Sequence, residues 1–173
     1  EKKDYLLKDS IKETRKSKKY LDSLDKENNP IKITSLFTGY TYRNSFKDWS
    51  ISINSPLTTI SYNTVQGRNT TTNINYFKSL NKTGKWIQAG ANLNYSMSEK
   101  KIRPVFYFTK KWNSIQRPRM FISVGQKINQ FNERNPISKF HNTIYSLFLK
   151  ENYLKIYEKS FSKISYSQEV LNG

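Results

Sequence analysis

The sequence predicts a mainly all-β chain, an antiparallel meander that forms part of a transmembrane β-barrel and follows a short N-terminal α-helix. Three observations lead to this fold class. Residues 87–97 alternate strictly between apolar side chains and polar or small ones, which indicates a strand with two different faces. Turn-forming residues recur at hairpin spacing. The chain also combines 14% aromatic residues with a mean hydropathy of -0.80, a mixture that suits short strands with one polar face.

The N-terminal segment, residues 1–30, predicts a charged helix that is periplasmic or lumenal. Tyr5, Leu6 and Ile11, and then Tyr20, Leu21 and Leu24, recur at roughly helical spacing among Lys, Asp and Glu. Asn28-Asn29-Pro30 is expected to end the helix. We expect it to dock by one narrow apolar stripe and to carry no catalytic role.

The remaining residues, 31–173, predict a partial barrel of about seven or eight strands. Gln66-Gly67-Arg68-Asn69 and Asn81-Lys82-Thr83-Gly84 are expected hairpin turns. Asn172-Gly173 also resembles a turn, so more strands are expected to complete the barrel. The predicted strands are 31–45, 48–54, 57–65, 70–79, 85–97, 102–112, 119–129 and 153–170.

The clearest strand, 85–97, predicts a lipid-facing surface. Its polar face carries amides and small residues, as expected of a hydrated lumen, although the solvent face of a soluble sheet is the alternative. Trp112 ends the next strand and is the expected interface aromatic. The predicted lipid-facing residues are Ile87, Ala89, Ala91, Leu93, Tyr95 and Met97.

In one segment the spacing of apolar residues does not decide the secondary structure. Residues 137–150 place apolar side chains at helical spacing, so a short helix or a structured loop is expected there. The segment contains the only histidine, His141, which we expect to be packed or exposed and not a base or a metal ligand.

The net charge is +17, and almost all of it lies after residue 30. Such a field attracts anionic partners, which include the phosphates of lipopolysaccharide, nucleic acid and acidic polymers. Basic and aromatic residues alternate near Tyr107, Lys110, Lys111 and Trp112, where a stacking platform for RNA is conceivable. No RNA-binding signature accompanies them, so nucleic acid is the less favoured partner.

The inventory of reactive residues predicts a non-enzymatic protein without catalytic residues, metal site or cofactor. There is no cysteine, and no phosphate-cradling glycine loop occurs. The hydroxyl residues lack a general base. The carboxylates after residue 31 are isolated along the chain, so their spacing proposes neither an acid–base pair nor a metal cluster. They are Asp48, Glu99, Glu133, Glu151, Glu158 and Glu169.

Two stretches resemble a known family. Residues 20–45 include Tyr-Leu-Asp-Ser-Leu-Asp-Lys-Glu-Asn-Asn-Pro-Ile-Lys-Ile-Thr and, after it, Gly-Tyr-Thr-Tyr-Arg-Asn-Ser. Residues 131–173 include Asn-Pro-Ile-Ser, Asn-Tyr-Leu-Lys-Ile-Tyr-Glu-Lys and Ser-Tyr-Ser-Gln-Glu-Val-Leu-Asn-Gly. Together they are similar to the barrel region, itself a domain of unknown function, of the carboxypeptidase-like regulatory domain-containing outer-membrane proteins.

The resemblance implies the outer membrane of a Gram-negative bacterium, with outer-membrane lipid, lipopolysaccharide and other outer-membrane proteins as partners. It implies a small periplasmic β-sandwich before the barrel, and no peptidase activity or catalytic residues. A more distant kinship to barrels that insert or translocate other outer-membrane proteins is a further expectation. The expected role is structural or accessory, in envelope biogenesis, transport or outer-membrane protein assembly. The alternative is a soluble basic all-β module that binds RNA or an acidic polymer.

Overall fold

A computed structural model describes residues 12–81, 84–112, 116–132, 134 and 136–170. In this part of the chain the structure is a single antiparallel sheet of eight strands with few helices, which confirms the predicted mainly all-β class. The strands are β1 (Tyr40–Asn44), β2 (Trp49–Ile53), β3 (Ser61–Asn63), β4 (Gly67–Ser79), β5 (Trp86–Ser96), β6 (Lys101–Lys111), β7 (Arg119–Gln130) and β8 (Ile156–Ser167).

The strands follow one another in the order β1-β2-β4-β5-β6-β7-β8, and β3 also pairs with β4. Strand β4 is long enough to hold β3 at its start and β2 near its end. Among the described residues β1 and β8 are the two edges of the sheet, so the sheet is open.

The helical segments lie outside the sheet. They are α1 (Lys18–Asn28), α2 (Ser35–Thr38), a 3₁₀ helix (Leu57–Thr59), α3 (Lys139–Ile144) and a π-helix (Tyr145–Leu149). Helix α1 and the helical residues 12–16 before it agree with the predicted N-terminal helix, although Tyr5, Leu6 and Ile11 lie outside the described residues. Helix α3 and the π-helix resolve the ambiguity of residues 137–150 in favour of a helix. No helix in the described ranges is long and apolar enough to cross a membrane.

The predicted strand 31–45 is wrong in its first half. Thr34 O accepts the backbone N–H groups of Phe37 and Thr38, so a turn of helix forms there. Gly39 ends it with φ +84, a value that glycine adopts without strain. The strand therefore begins only at Tyr40.

The predicted strand 57–65 is also wrong over most of its length. The Ser55 hydroxyl accepts the Leu57 N–H at 3.1 Å, and Thr58 donates to Ser55 O at 3.2 Å. These local side-chain bonds compete with strand pairing and favour a 3₁₀ turn. Only Ser61–Asn63 is extended.

The first hairpin turn is shifted from its predicted position at 66–69. The Asn63 side chain accepts the N–H groups of Val65 and Gln66, at 3.1 and 2.8 Å, and such a bond pattern forms a turn without help from the sheet. Gly67 consequently starts β4. The second predicted turn contains Lys82 and Thr83, which lie outside the described residues, as does Asn172-Gly173.

Gly90 in the centre of β5 is required by close packing. A Cβ there would lie 2.4 Å from the Tyr107 hydroxyl oxygen and 2.4 Å from the Ile74 carbonyl oxygen. We predict that Gly90→Ala lowers the free energy of unfolding by about 1–3 kcal/mol, because the neighbouring strands must shift. Chemical denaturation followed by circular dichroism measures this change.

The matched control is Ala89→Val, which adds methyl groups to the opposite face of the same strand. We expect it to change the free energy of unfolding by less than about 0.5 kcal/mol. Equal effects of the two substitutions would contradict the packing argument.

Candidate functional site

The strand register places the predicted lipid-facing residues on one continuous apolar face. Ile87, Ala89, Ala91, Leu93 and Tyr95 alternate along β5, whereas Met97 lies just beyond the strand, where its N–H donates to Arg68 O. Cross-strand partners extend the face over the whole sheet. These partners include Tyr42, Ile51, Ile53, Ile74, Tyr76, Ile102, Phe106, Phe108, Met120, Ile122, Val124, Ile164 and Tyr166.

This apolar face is largely uncovered. Ile102, Phe106, Val124 and Ile164 are 58%, 53%, 50% and 72% exposed. Leu154 is the single large apolar side chain that is buried in the described part of the chain, and it lies in the segment before β8. Within the described residues, the apolar side chains of this face therefore do not pack into a buried core.

The buried side chains of strands β4 to β7 all lie on the opposite, polar face. Ser96, Asn69, Arg103, Ser123 and Thr109 are all buried, and the register places them on the face opposite Ile87 and Leu93. The polarity of the sheet is thus the inverse of that in a soluble protein, in which buried side chains are mainly apolar.

Side-chain amides connect neighbouring strands across this polar face. Gln88 donates through Nε2 to Asn75 Oδ1 at 2.8 Å, and the Tyr107 hydroxyl donates to the same oxygen at 3.1 Å. Gln66 donates to Asn94 Oδ1 at 2.9 Å, and Asn94 donates to Thr71 Oγ1 at 3.1 Å. Asn92 also donates to Asn73. Because each amide is satisfied by a neighbour, this face can be removed from bulk water at little cost.

The chain between β7 and β8 covers one end of the polar face. Asn142, which is fully buried, accepts the backbone N–H groups of Tyr153 and Leu154 at 3.1 and 3.2 Å. Thr143 Oγ1 accepts the Tyr62 N–H at 3.0 Å, and Asn152 donates to Thr64 Oγ1 at 2.6 Å. We call residues 136–155 the covering segment.

A polar cavity of about 520 Å³ lies between the covering segment and the sheet. Its size is within the range of small-molecule sites. Its walls combine side-chain amides and hydroxyls, which can bind water or polar solutes, with basic and apolar side chains. The lining includes Asn63, Gln66, Asn69, Asn92, Asn94, Arg103, Lys139 and Leu154.

A charged cluster borders this cavity. Arg103 Nε donates to Glu158 at 2.7 Å and Arg103 Nη2 donates to Glu99 at 2.8 Å, while Lys101 Nζ lies 2.7 Å from Glu158. The Arg103 side chain is only 2% exposed. Its Nη1 atom is buried without a hydrogen-bond partner within the described ranges. Two cations and two anions balance one another here, as a buried charge requires.

The cluster spans a gap in the sheet. Pairing between β6 and β7 ends at Val105 and Gly125, whereas β7 continues to pair with β8 as far as Gln130. Pro104 stands at the end of the paired stretch and has no N–H to donate. Arg103 and Lys101 on β6 therefore contact Glu158 on β8 through side chains, where the strands lack a shared ladder.

Glu99 lies in the turn between β5 and β6. The hydrogen bond from the Arg103 guanidinium holds the pKa of its carboxyl below the usual range, and partial burial opposes this effect. The carboxylate is thereby kept in the charged form that Arg103 needs.

The predicted interface aromatic, Trp112, follows β6 directly. The backbone N–H of Trp112 donates to Pro118 O at 3.1 Å, and Lys110 Nζ lies 5.2 Å from the centroid of the Trp112 ring. At the same end of the sheet Arg119 lies 5.4 Å from the Trp86 ring. This rim therefore combines aromatic rings with cations.

The structure does not bring His141 together with the predicted lipid-facing residues or with Trp112. His141 is exposed on α3, with its ring 6.1 Å from that of Phe140. Within the part of the chain that the structure describes, no three His, Cys, Asp or Glu side chains form a group that could hold a metal ion. The non-enzymatic character stays a prediction.

The Arg103 cluster and Asn142 were missed from the sequence. Arg103 and Glu158 are 55 residues apart, and no motif joins them. The one usable signal is local: an arginine at an inward position of β6 requires a buried carboxylate partner. The sequence offers several isolated candidates and does not choose among them.

Loss of the Glu158 charge should destabilise the fold. We predict that Glu158→Gln lowers the free energy of unfolding by about 1–3 kcal/mol, because Arg103 loses a charge-assisted bond and is too buried to find water. Chemical denaturation measures the change.

The exposed ion pair between Arg117 and Glu169, at 3.0 Å, supplies a matched control. Glu169→Gln should cost no more than about 0.5 kcal/mol, because water screens this pair. A larger loss for Glu169→Gln than for Glu158→Gln would contradict the assignment of the cluster.

The lowered pKa of Glu99 predicts a pH dependence of stability. A carboxyl whose pKa is lower in the folded state stabilises the fold above its unfolded pKa, and this contribution is lost as the pH falls through the folded pKa. The difference in free energy of unfolding between the wild type and Glu99→Gln should therefore shrink between about pH 5 and pH 2. A difference that does not change with pH would count against the Arg103–Glu99 bond.

Comparison with known proteins assigns the chain to a family. Residues 34–173 match the model for the C-terminal domain of a family of unknown function, DUF5686. No curated protein and no solved structure matches the chain. Because the match includes β1 to β8 and covers far more than half of the residues, the chain belongs to the DUF5686 family, in its C-terminal domain.

Proposed function

We propose that the chain is part of a transmembrane β-barrel in the outer membrane of a Gram-negative bacterium. Its role is non-enzymatic and structural or accessory, in envelope biogenesis, transport or assembly of outer-membrane proteins. The observation that carries the proposal is the inverted polarity of the sheet: the apolar face is exposed, while the buried side chains of the central strands lie on the polar face. A lipid phase on one side and a hydrated lumen on the other explain both faces together.

The height of the apolar band supports this assignment. On β5 the band runs from Ile87 to Tyr95, eight residue steps, which is about 27 Å along a strand. A strand tilt of about 40° reduces the vertical height to about 20 Å, close to the apolar band of outer-membrane barrels.

The rims support it as well. One rim carries a row of three aromatic rings. The Trp49 ring centroid lies 5.5 Å from that of Tyr42 and 6.1 Å from that of Tyr76. Trp112 and Lys110 lie at the same end of the strands. Aromatic rings belong at the headgroup level, and the cations beside them fit lipid and lipopolysaccharide phosphates. We also infer that a carboxypeptidase-like regulatory β-sandwich accompanies this domain, as the family resemblance implies.

The alternative is a soluble, basic all-β module that binds RNA or an acidic polymer. The net charge of +17 and the contact between Lys110 and Trp112 favour it. It leaves the exposed apolar face without an occupant, since monomeric soluble proteins rarely expose a patch of this extent. Binding that falls steeply with salt, in a chain that is soluble without detergent, would support the alternative.

Two adjacent residues of β2 test the proposal. Ile53 lies on the apolar face, and Ser52 lies on the polar face. We predict that Ile53→Arg costs about 2–4 kcal/mol near the bilayer centre and lowers the fraction of protein folded in lipid vesicles. Ser52→Arg should leave this fraction close to that of the wild type.

Folding is measured as protease-resistant, vesicle-bound protein after refolding into lipid vesicles. Equal incorporation of both variants, or a wild-type chain that stays folded in buffer without detergent, would overturn the membrane proposal.

A further inference from the structure

The two edges of the sheet differ in how their backbone groups are satisfied. On β1, Asn29 Nδ2 donates to Arg43 O at 2.7 Å, and Asn29 Oδ1 accepts the Arg43 N–H at 2.9 Å. Two residues on, just beyond the end of β1, Asp25 accepts the Ser45 N–H at 2.7 Å and the Ser45 hydroxyl at 2.7 Å. The end of α1 thus makes the bonds that a neighbouring strand would make at this edge.

The register of α1 on this edge is fixed by one more contact. The Tyr40 hydroxyl donates to Asn29 O at 2.6 Å, and Asp25 is buried against the end of β1. Asn29 therefore caps both backbone groups of Arg43 within the five-residue strand β1, and Asp25 caps the Ser45 N–H just beyond it. Short, covered edges are a common way to prevent unwanted strand pairing.

Strand β8 has the opposite properties. It is twelve residues long, pairs with β7 over its whole length and pairs with no other described strand. It contains no proline, and its apolar side chains are the most open of the central face: Ile164 is 72% exposed and Tyr166 is 62% exposed. Charged side chains are present on it, at Glu158, Lys159 and Lys163, but the strand is long, and neither a proline nor a bulge interrupts its pairing with β7.

We propose that β8, and not β1, is the edge at which this sheet is extended, and that its occupant is a further antiparallel strand of the barrel. The identity of the occupant rests on the proposed function, because backbone groups in lipid must all be paired. The chemistry of β8 defines the occupant: apolar side chains beside Ile164 and Tyr166, and polar side chains beside Lys163 on the other face.

The sequence of β7 supplies a suitable probe. A synthetic peptide with the residues of Arg119–Gln130 has the alternation that β8 already accepts on its paired side. A peptide of the same composition, with the order changed so that apolar residues no longer alternate, is the matched control. Neither peptide contains cysteine or proline.

The experiment measures backbone amide hydrogen exchange by NMR on the full chain in detergent micelles. Without peptide, the β8 amides that are not bonded to β7 should exchange rapidly, while those of Arg43 and Ser45 should exchange slowly. The β7 peptide should slow exchange of these β8 amides by about tenfold or more and leave Arg43 unchanged. In Asn29→Ala, the Arg43 amide should become fast and should also be slowed by the peptide.

Three results would overturn the inference. They are faster exchange at Arg43 than at β8 in the wild type without peptide, no slowing of β8 exchange by the β7 peptide, and equal slowing of β8 exchange by the two peptides. The vesicle experiment on Ile53 and Ser52 separates this failure from that of the proposed function. A chain that folds in vesicles but whose β8 is not protected by the peptide refutes only the edge assignment. A chain that is soluble without detergent and whose β8 is protected by the peptide refutes the barrel and the barrel strand as occupant, but not the choice of edge.

Discussion

The structure depends on the register between β4, β5 and β6. Eleven consecutive pairs join β4 to β5, and eleven more join β5 to β6, so each side chain is assigned to one face over three long strands. A shift by one residue would turn Leu93 to the amide face and Asn92 to the apolar face. The inverted polarity, the amide network and the open apolar surface all follow from this one alignment.

The same register explains why the covering segment and the charged cluster lie where they do. Pairing between β6 and β7 stops at Val105, and the sheet would lose cohesion beyond it without another interaction. Arg103 and Glu158 replace the missing ladder by side-chain bonds, and Asn142 ties the covering segment to itself. Hydrogen bonds between polar groups connect the elements here, as apolar packing does in a soluble core. This fits the proposed contact of this face with water and not lipid.

The sequence predicted the long central strands well because their period depends only on neighbouring residues. From Trp86 to Ser96 the alternation and the strand coincide, and the helical spacing of 137–150 gave α3. Predictions failed where local side-chain bonds outcompeted pairing, as at Ser55 and at Asn63, which shifted a strand and a turn. The Arg103–Glu158 contact and the capping of β1 by Asn29 join residues far apart in the chain, and no local pattern encodes them.

The asymmetry between the two edges is the last consequence of the inverted fold. In water an open edge such as β8 would invite aggregation, and a protein under that constraint would shorten, charge or cover it. Within the described residues, β1 is covered in this way by Asp25 and Asn29, whereas β8 carries charged side chains but no comparable cover. A sheet with one covered edge, β1, and one edge open over twelve residues, β8, is consistent with extension of the sheet at β8 only. In a closed barrel, the strand that pairs with β1 would then have to displace the side chains of Asn29 and Asp25 from the backbone, instead of displacing water.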